Sequence, residues 1–146
     1  MKELVDKTFL LLQGEMPPQV RIVTKVDDSI TVDVDSQRMQ QALMNLISNA
    51  IQAVEGEGEV EISAQSGRDG KVDIKIRDSG KGIDPDDLPK IFDPFFTTKD
   101  VGKGTGLGLF VTHDIIINHN GSISIDTAKG RGTTVTVSIP KERPST

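Results

Sequence analysis

Ser36-Gln37-Arg38-Met39-Gln40-Gln41-Ala42-Leu43-Met44-Asn45-Leu46-Ile47-Ser48-Asn49-Ala50-Ile51-Gln52-Ala53 is the stretch whose reading decides the fold. Met39, Leu43, Ile47, Ala50 and, just beyond, Val54 recur at helical spacing, which predicts a long amphipathic helix. Asp35 or Ser36 can cap its start, and Gly56 and Gly58 stop it. Within it Asn45 and Asn49 lie four apart, so they share a face. Both are flanked by apolar neighbours, Leu43, Met44, Leu46 and Ile47.

Working outward, Glu3–Leu12 reads as a short helix with Leu4, Val5, Leu11 and Leu12 as its apolar residues. Pro17-Pro18 ends it, because proline disfavours helix on its N-terminal side. Val20, Ile22, Thr24 and Val26 alternate with polar residues, and Ile30, Val32 and Val34 repeat the pattern across the turn Asp27-Asp28-Ser29. Two strands are therefore expected here. Beyond the long helix, Val60, Ile62 and Ala64, then Val72, Ile74 and Ile76, flank a Gly67-Arg68-Asp69-Gly70 turn and read as an antiparallel hairpin. From Asp78 to Gly108 no period holds, and a loop of that length in a compact domain is usually functional. A helix from about Thr105 to Asn118 follows, then strands Ser122–Asp126 and Thr133–Ile139. Pro140 ends the last strand, leaving Lys141–Thr146 as a frayed tail. The order β-β-α-β-β-loop-α-β-β predicts an α+β, two-layer sandwich: a mixed, mostly antiparallel sheet covered on one face by about three helices. Residues 1–146 are expected to form a single domain.

The chain has 146 residues, enough for one sizeable core. Its net charge of −5 argues against duplex DNA as a partner, since phosphate binding needs a basic face. Cysteine is absent, so disulfides and thiolate metal sites are excluded. No apolar run approaches the roughly 20 residues that span a bilayer. A soluble polypeptide is expected, from a parent that is free or membrane-anchored.

Several short stretches carry candidate chemistry. The oxygens of Asn45 and Asn49 are hard neutral ligands suited to Mg²⁺, which borrows further ligands from water and substrate phosphate. The same amides could instead satisfy buried backbone groups. Asp78-Ser79-Gly80-Lys81-Gly82 follows a strand, and its lone carboxylate can accept from an exocyclic amine such as that of adenine. An ordinary Asp-Ser-Gly turn accounts for the same residues. Gly104-Thr105-Gly106-Leu107-Gly108 opens a helix, where bare N–H groups bind phosphate. Its spacing is neither that of a lysine-containing P-loop nor that of a dinucleotide fingerprint. Phe92-Asp93-Pro94-Phe95-Phe96 holds three of the five phenylalanines, either as a small core cluster or as the anchor of a flap over Ile83–Lys103. Lys99 could reach a terminal phosphate or stay solvated. His113 and His119 fit structural roles, the second at a helix C-terminus where a histidine is favoured.

Taken in order, Asn45-Leu46-Ile47-Ser48-Asn49-Ala50, Asp78-Ser79-Gly80-Lys81-Gly82, Phe92-Asp93-Pro94-Phe95-Phe96 and Gly104-Thr105-Gly106-Leu107-Gly108-Leu109 resemble the N box, first glycine box, F box and second glycine box of sensor histidine kinases. Gly130-Arg131-Gly132-Thr133-Thr134 matches a further signature of that family, and the resemblance runs from about Asp35 to Pro140. Asn49-Ala50-Ile51-Gln52-Ala53 with Pro94-Phe95-Phe96-Thr97-Thr98-Lys99 looks most like the nitrogen-regulation subgroup. The resemblance implies the Bergerat-type ATP-binding sandwich shared with type II topoisomerases, mismatch-repair ATPases and a heat-shock chaperone. It implies ATP and Mg²⁺ as ligands. Asn49 would ligate the metal, supported by Asn45 directly or through water. Asp78 would read the adenine amino group, with Gly80, Gly82 and Ile83 lining the base and Thr133 holding that side through water. Gly104, Thr105, Gly106, Leu107 and Gly108 would contact the phosphates. Ile83–Lys103 would be the ATP lid, and Asn45, Asn49 and Lys99 would carry catalysis.

Gln52 and Ala53 would also flank the nucleotide, and here the chain departs from many relatives, which carry a lysine and a stacking aromatic at those positions. Phosphate neutralisation then falls more on Mg²⁺ and Lys99, and base stacking weakens. The related ATPases place a water-activating glutamate four residues before the magnesium asparagine. Here Asn45 stands there, and a neutral amide is a poor general base. Phosphoryl transfer to an outside nucleophile is therefore expected over hydrolysis. In the family that nucleophile is a histidine on a preceding helical hairpin. His113 precedes Asp114 but lies in the wrong domain. Residues 1–16 are read as a remnant of the linker to that hairpin, and the chain as a cytoplasmic, monomeric fragment. Its expected partners are its own dimerisation and histidine-phosphotransfer domain and, through the whole kinase, a response regulator, with no nucleic acid. The alternatives are an ATPase clamp gated by nucleotide and a non-catalytic nucleotide-binding module of the same fold.

Overall fold

The computed structural model describes residues 2–12, 18–27, 29–54, 56–67, 70–93 and 108–141. Their elements are α1 (Lys2–Leu12), β1 (Val20–Val26), α2 (Ser36–Ala53), β2 (Gly58–Ser66), β3 (Lys71–Asp78), a 3-10 turn (Leu88–Lys90), α3 (Gly108–Asn118), β4 (Ser122–Ala128) and β5 (Gly132–Pro140). The strands form one sheet in the order β1-β2-β3-β5-β4. β2–β3, β3–β5 and β4–β5 are antiparallel, and β1–β2 is parallel, from Val20 opposite Gly58 to Val26 opposite Ala64. This is the expected α+β two-layer sandwich with a mixed, mostly antiparallel sheet and three helices.

One local expectation fails. Residues 30–34 form no strand. β1 takes β2 as its neighbour instead, reached through α2, because a parallel pair needs a long crossover and a helix supplies it. The alternation at Ile30, Val32 and Val34 is still real: Ile30 is buried and the two valines pack against the core. An extended segment lying one-sided on a core has the same period as a strand. Asp33 N–H donates to Lys141 O, just past the end of β5, at 2.7 Å. In α1 the inward residues are Val5, Thr8 and Leu12, spaced three and four apart, and Leu11 is 57% exposed.

Asp35, not Ser36, caps α2; its side chain accepts from the Arg38 N–H at 3.2 Å. The buried face of α2 is Met39, Ala42, Leu43, Leu46, Ile47, Ala50 and Ile51. It packs with Val60 and Ile62 of β2, Val72, Ile74 and Ile76 of β3, and Val137 and Ile139 of β5. The opposite sheet face carries Lys25, Glu59, Glu61 and Arg77 in cross-strand ion pairs of 3.5–3.9 Å. Such exposed pairs contribute little stability. At the end of α3, Asn120 takes φ 59, and Gly121 N–H and Asn120 N–H bond back to Ile116 O and Ile117 O. That is the left-handed stop that satisfies the last carbonyls of a helix.

Ile62 is fully buried in the second strand of five. Ile62→Ala is expected to cost about 2–5 kcal/mol in urea unfolding, whereas the exposed Leu11→Ala should cost about 0.5 kcal/mol or less. Equal losses would contradict this assignment of the core.

Candidate functional site

Asn45, Asn49 and Ala53 follow one another at intervals of four along α2, half-buried on one flank of its sheet-facing apolar residues. They make a stripe about 12 Å long at the rise of an α-helix. At its first end the Asn45 amide nitrogen donates to Gly108 O (3.2 Å) and to Thr112 Oγ1 (3.3 Å), so the stripe abuts the start of α3. At its other end Ala53 O accepts the Lys81 N–H at 3.2 Å. Gly80 lies against that same carbonyl, leaving no room for a side chain.

Asp78 is the last residue of β3 and is only 6% exposed. Its Oδ1 accepts the Gly80 N–H at 2.9 Å. Burial raises its carboxyl above the ordinary 3.8, and backbone N–H groups of Gly80 and Thr133 pull partly the other way. The β4–β5 turn closes over this end. Gly130 N–H donates to Lys81 O (2.6 Å) and Ile83 N–H to Thr127 Oγ1 (2.9 Å). Gly132 has φ +90, and a Cβ there would overlap the Asp78 carbonyl oxygen, so only glycine fits.

Thr127 escaped the sequence reading. It sits opposite Thr133 across β4–β5, and their hydroxyls are 2.8 Å apart. Thr127 donates its proton to Gly132 O at 3.1 Å. The Thr133 hydroxyl must then donate to Thr127, which leaves its oxygen as an acceptor beside Asp78. The available signal was the register of two threonines across a three-residue turn, which needs the pairing to be known first.

The structure thus brings together Asn45, Ala53, Asp78, Gly80, Gly82, Ile83, Gly108 and Thr133, with Asn49 midway along the α2 stripe. It does not turn the Gln52 amide nitrogen inward; that group donates to Ser48 Oγ on its own helix at 3.2 Å. Lys99, Gly104, Thr105, Gly106 and Leu107, like Phe95 and Phe96, lie outside the described residues. Phe92 stacks at a tilt on His113, with ring centroids 5.0 Å apart. His119 is structural: its Nδ1 faces Ile115 O (2.8 Å), and its Nε2 accepts the Asp35 N–H (3.1 Å). The first ring nitrogen therefore carries the proton.

Among the described residues no group of three histidine, cysteine or acidic side chains could hold a metal. The donors along α2 are neutral amides. That set fits a magnesium ion arriving with phosphate oxygens, and would hold a bare ion poorly.

Residues 34–143 match the family model described as "Histidine kinase-, DNA gyrase B-, and HSP90-like ATPase". The chain belongs to that family. It is an ATP-binding catalytic domain of the sensor histidine kinase type. It is 44% identical over 132 residues to the sensor histidine kinase ZraS of Escherichia coli K12, covering 90% of this chain and 28% of that protein. It is 40% identical over 144 residues to sporulation kinase A of Bacillus subtilis 168, covering 97% of this chain and 23% of the kinase. The chain therefore spans about a quarter of the length of the curated relatives it matches. Among solved structures, the nucleotide-free catalytic domain of the histidine kinase ThkA superposes with a TM-score of 0.84 at 32% identity, covering 97% of this chain and 94% of that one. No helix among the described residues is long and apolar enough to cross a membrane.

The raised Asp78 carboxyl has a consequence for stability. The folded chain holds that proton more tightly than the unfolded chain does. This group's contribution therefore falls as pH rises through the folded value, and is least favourable at neutral pH. Asp78→Asn is expected to raise the Tm of the nucleotide-free domain more at about pH 7 than at about pH 4. Identical Tm differences at both pH values would show that the buried charge carries no penalty.

Proposed function

We propose that this domain binds Mg-ATP along the α2 stripe and passes the γ-phosphoryl group to a histidine on a separate dimerisation domain. The observation that carries the reading is the arrangement of its two ends. A buried carboxylate with room only for backbone around it marks one end of the stripe, and the start of the helix after the second glycine box marks the other. Asp78 accepts the adenine amino group, with the Thr133 oxygen as a second acceptor. Gly80, Gly82 and Ile83 present backbone to the base. Asn49, supported by Asn45, would hold the metal through an amide oxygen. Magnesium bound with the nucleotide would draw negative charge off the transferred group. Backbone from Gly104 to Gly108 and the amine of Lys99 would meet the phosphates, with Ile83–Lys103 as the lid.

Transfer of this kind rests on positioning and charge stabilisation. In it the bond from the γ-phosphorus to the β–γ bridging oxygen breaks, a bond to an imidazole nitrogen forms, and ADP leaves. Asn45 supplies no general base, which disfavours water as the acceptor. α3 exposes Phe110 in its first turn and Ile117 in its last, at 42% and 49%, on a face they share with His113 and Asp114. The histidine-bearing hairpin is the partner we assign to it, with a response regulator downstream and the cytoplasm as the compartment. Residues 1–16 then belong to the linker.

Isothermal titration with Mg-ADP tests the pocket. Asp78→Ala should abolish detectable binding, and Asn49→Asp in the full-length kinase should reduce autophosphorylation by at least about 100-fold, the scale of a lost transition-state contact. Unchanged ADP affinity in Asp78→Ala would overturn the assignment of the base end. Rapid ATP hydrolysis by the isolated domain would instead favour an ATPase clamp.

A further inference from the structure

We infer that Thr112 is a positioning residue that fixes which atom of the Asn45 carboxamide is turned toward the nucleotide site; this rests on the function proposed above. Among the described residues the buried polar side chains are Thr8, Asp78, Thr112 and Thr133. Two of these are threonines in mid-helix, and they make an informative pair. Thr8 donates to Leu4 O, four residues back, at 2.7 Å, which is the ordinary way a helix absorbs a buried hydroxyl. Thr112 makes the same bond, to Gly108 O at 2.8 Å. Thr112 also takes a partner from another helix: it accepts from the Asn45 amide nitrogen at 3.3 Å.

The proton count sets the orientation. The single hydroxyl proton of Thr112 is committed to Gly108 O, so Thr112 offers Asn45 only lone pairs. Gly108 O, a carbonyl, also offers only lone pairs, at 3.2 Å. Both groups facing the carboxamide are therefore acceptors. An asparagine flipped by half a turn would set its own oxygen against two oxygens inside a part-buried contact, and would leave its N–H groups to find new partners. The NH₂ group is thereby held against α3. The oxygen, the atom able to bind a cation or its water shell, is the one left to serve the site. Gly108 O is pinned twice by the same triangle, so the end of the second glycine box and the amide stripe on α2 are registered to each other.

The test uses Thr112→Val, which removes the hydroxyl at nearly constant shape, and Thr112→Ser, which keeps it. The first readout needs no nucleotide: the exchange rate of the Asn45 side-chain amide protons by nuclear magnetic resonance, with exposed Asn120 as the internal reference. Exchange should be slow in the wild type and in Thr112→Ser, and faster in Thr112→Val by about fivefold to tenfold, the fold-change of one hydrogen bond. The second readout is ADP affinity with Mg²⁺ and with a chelator. Thr112→Val should weaken binding by a similar factor with Mg²⁺ and leave the chelated value unchanged, and Thr112→Ser should match the wild type in both. Equal loss in the two buffers would mean a merely structural hydroxyl and would overturn the proposal. So would exchange in Thr112→Val as slow as in the wild type. Failure of the wild type to bind ADP in either buffer would sink the functional reading instead, and the exchange rates would still decide whether the carboxamide is locked.

Discussion

The packing of the α2 apolar face on the central strands is the constraint on which everything else rests. Seven inward residues from Met39 to Ile51 meet the sheet at β2, β3 and β5. An α-helix held by one face has no rotational freedom left. Asn45, Asn49 and Ala53 are then presented to one side, and the spacing of the amides from the Ala53 carbonyl is set by helix rise alone. The two other parts of the site attach to this rod. The β3 loop hangs from the Ala53 carbonyl through Lys81, and the start of α3 is tied to Asn45 through Gly108.

The buried polar groups cluster around the candidate site. Of the four such residues among those described, Asp78, Thr112 and Thr133 belong to the site or touch it, and only Thr8 does not. A carboxylate at the end of a central strand is a poor choice for a stable core, because burial penalises its charge. Its backbone N–H partners offset part of that cost. Thr127 and Thr133 illustrate the same economy: every proton of the pair is assigned, and one acceptor remains beside Asp78.

The glycines act as spacers as much as hinges. Gly80 against Ala53 and Gly132 against Asp78 bring backbone to backbone at distances no side chain tolerates. The β3 loop, the end of α2 and the β4–β5 turn close on one another for this reason. Backbone amides and carbonyls, not side chains, therefore form the surface where these three segments meet.

Amino-acid order alone sufficed for the long helix, the β2–β3 hairpin and the last two strands, because each has a strong period bounded by caps or turn residues. It also sufficed for the ordered boxes, whose identity is local in the chain. Contacts between distant segments decided the rest. Residues 30–34 alternate like a strand yet form none, since alternation records only which side of a segment is covered and not whether its backbone finds a partner strand. Leu11 and Leu12 are alike in sequence, yet Leu12 is buried and Leu11 faces solvent, since a short apolar helix does not announce which side is covered. Thr112 and Thr127 carry no motif at all. Their roles exist only where α3 meets α2 and where β4 registers with β5, because a hydroxyl's partner is a matter of geometry that one-dimensional spacing does not contain.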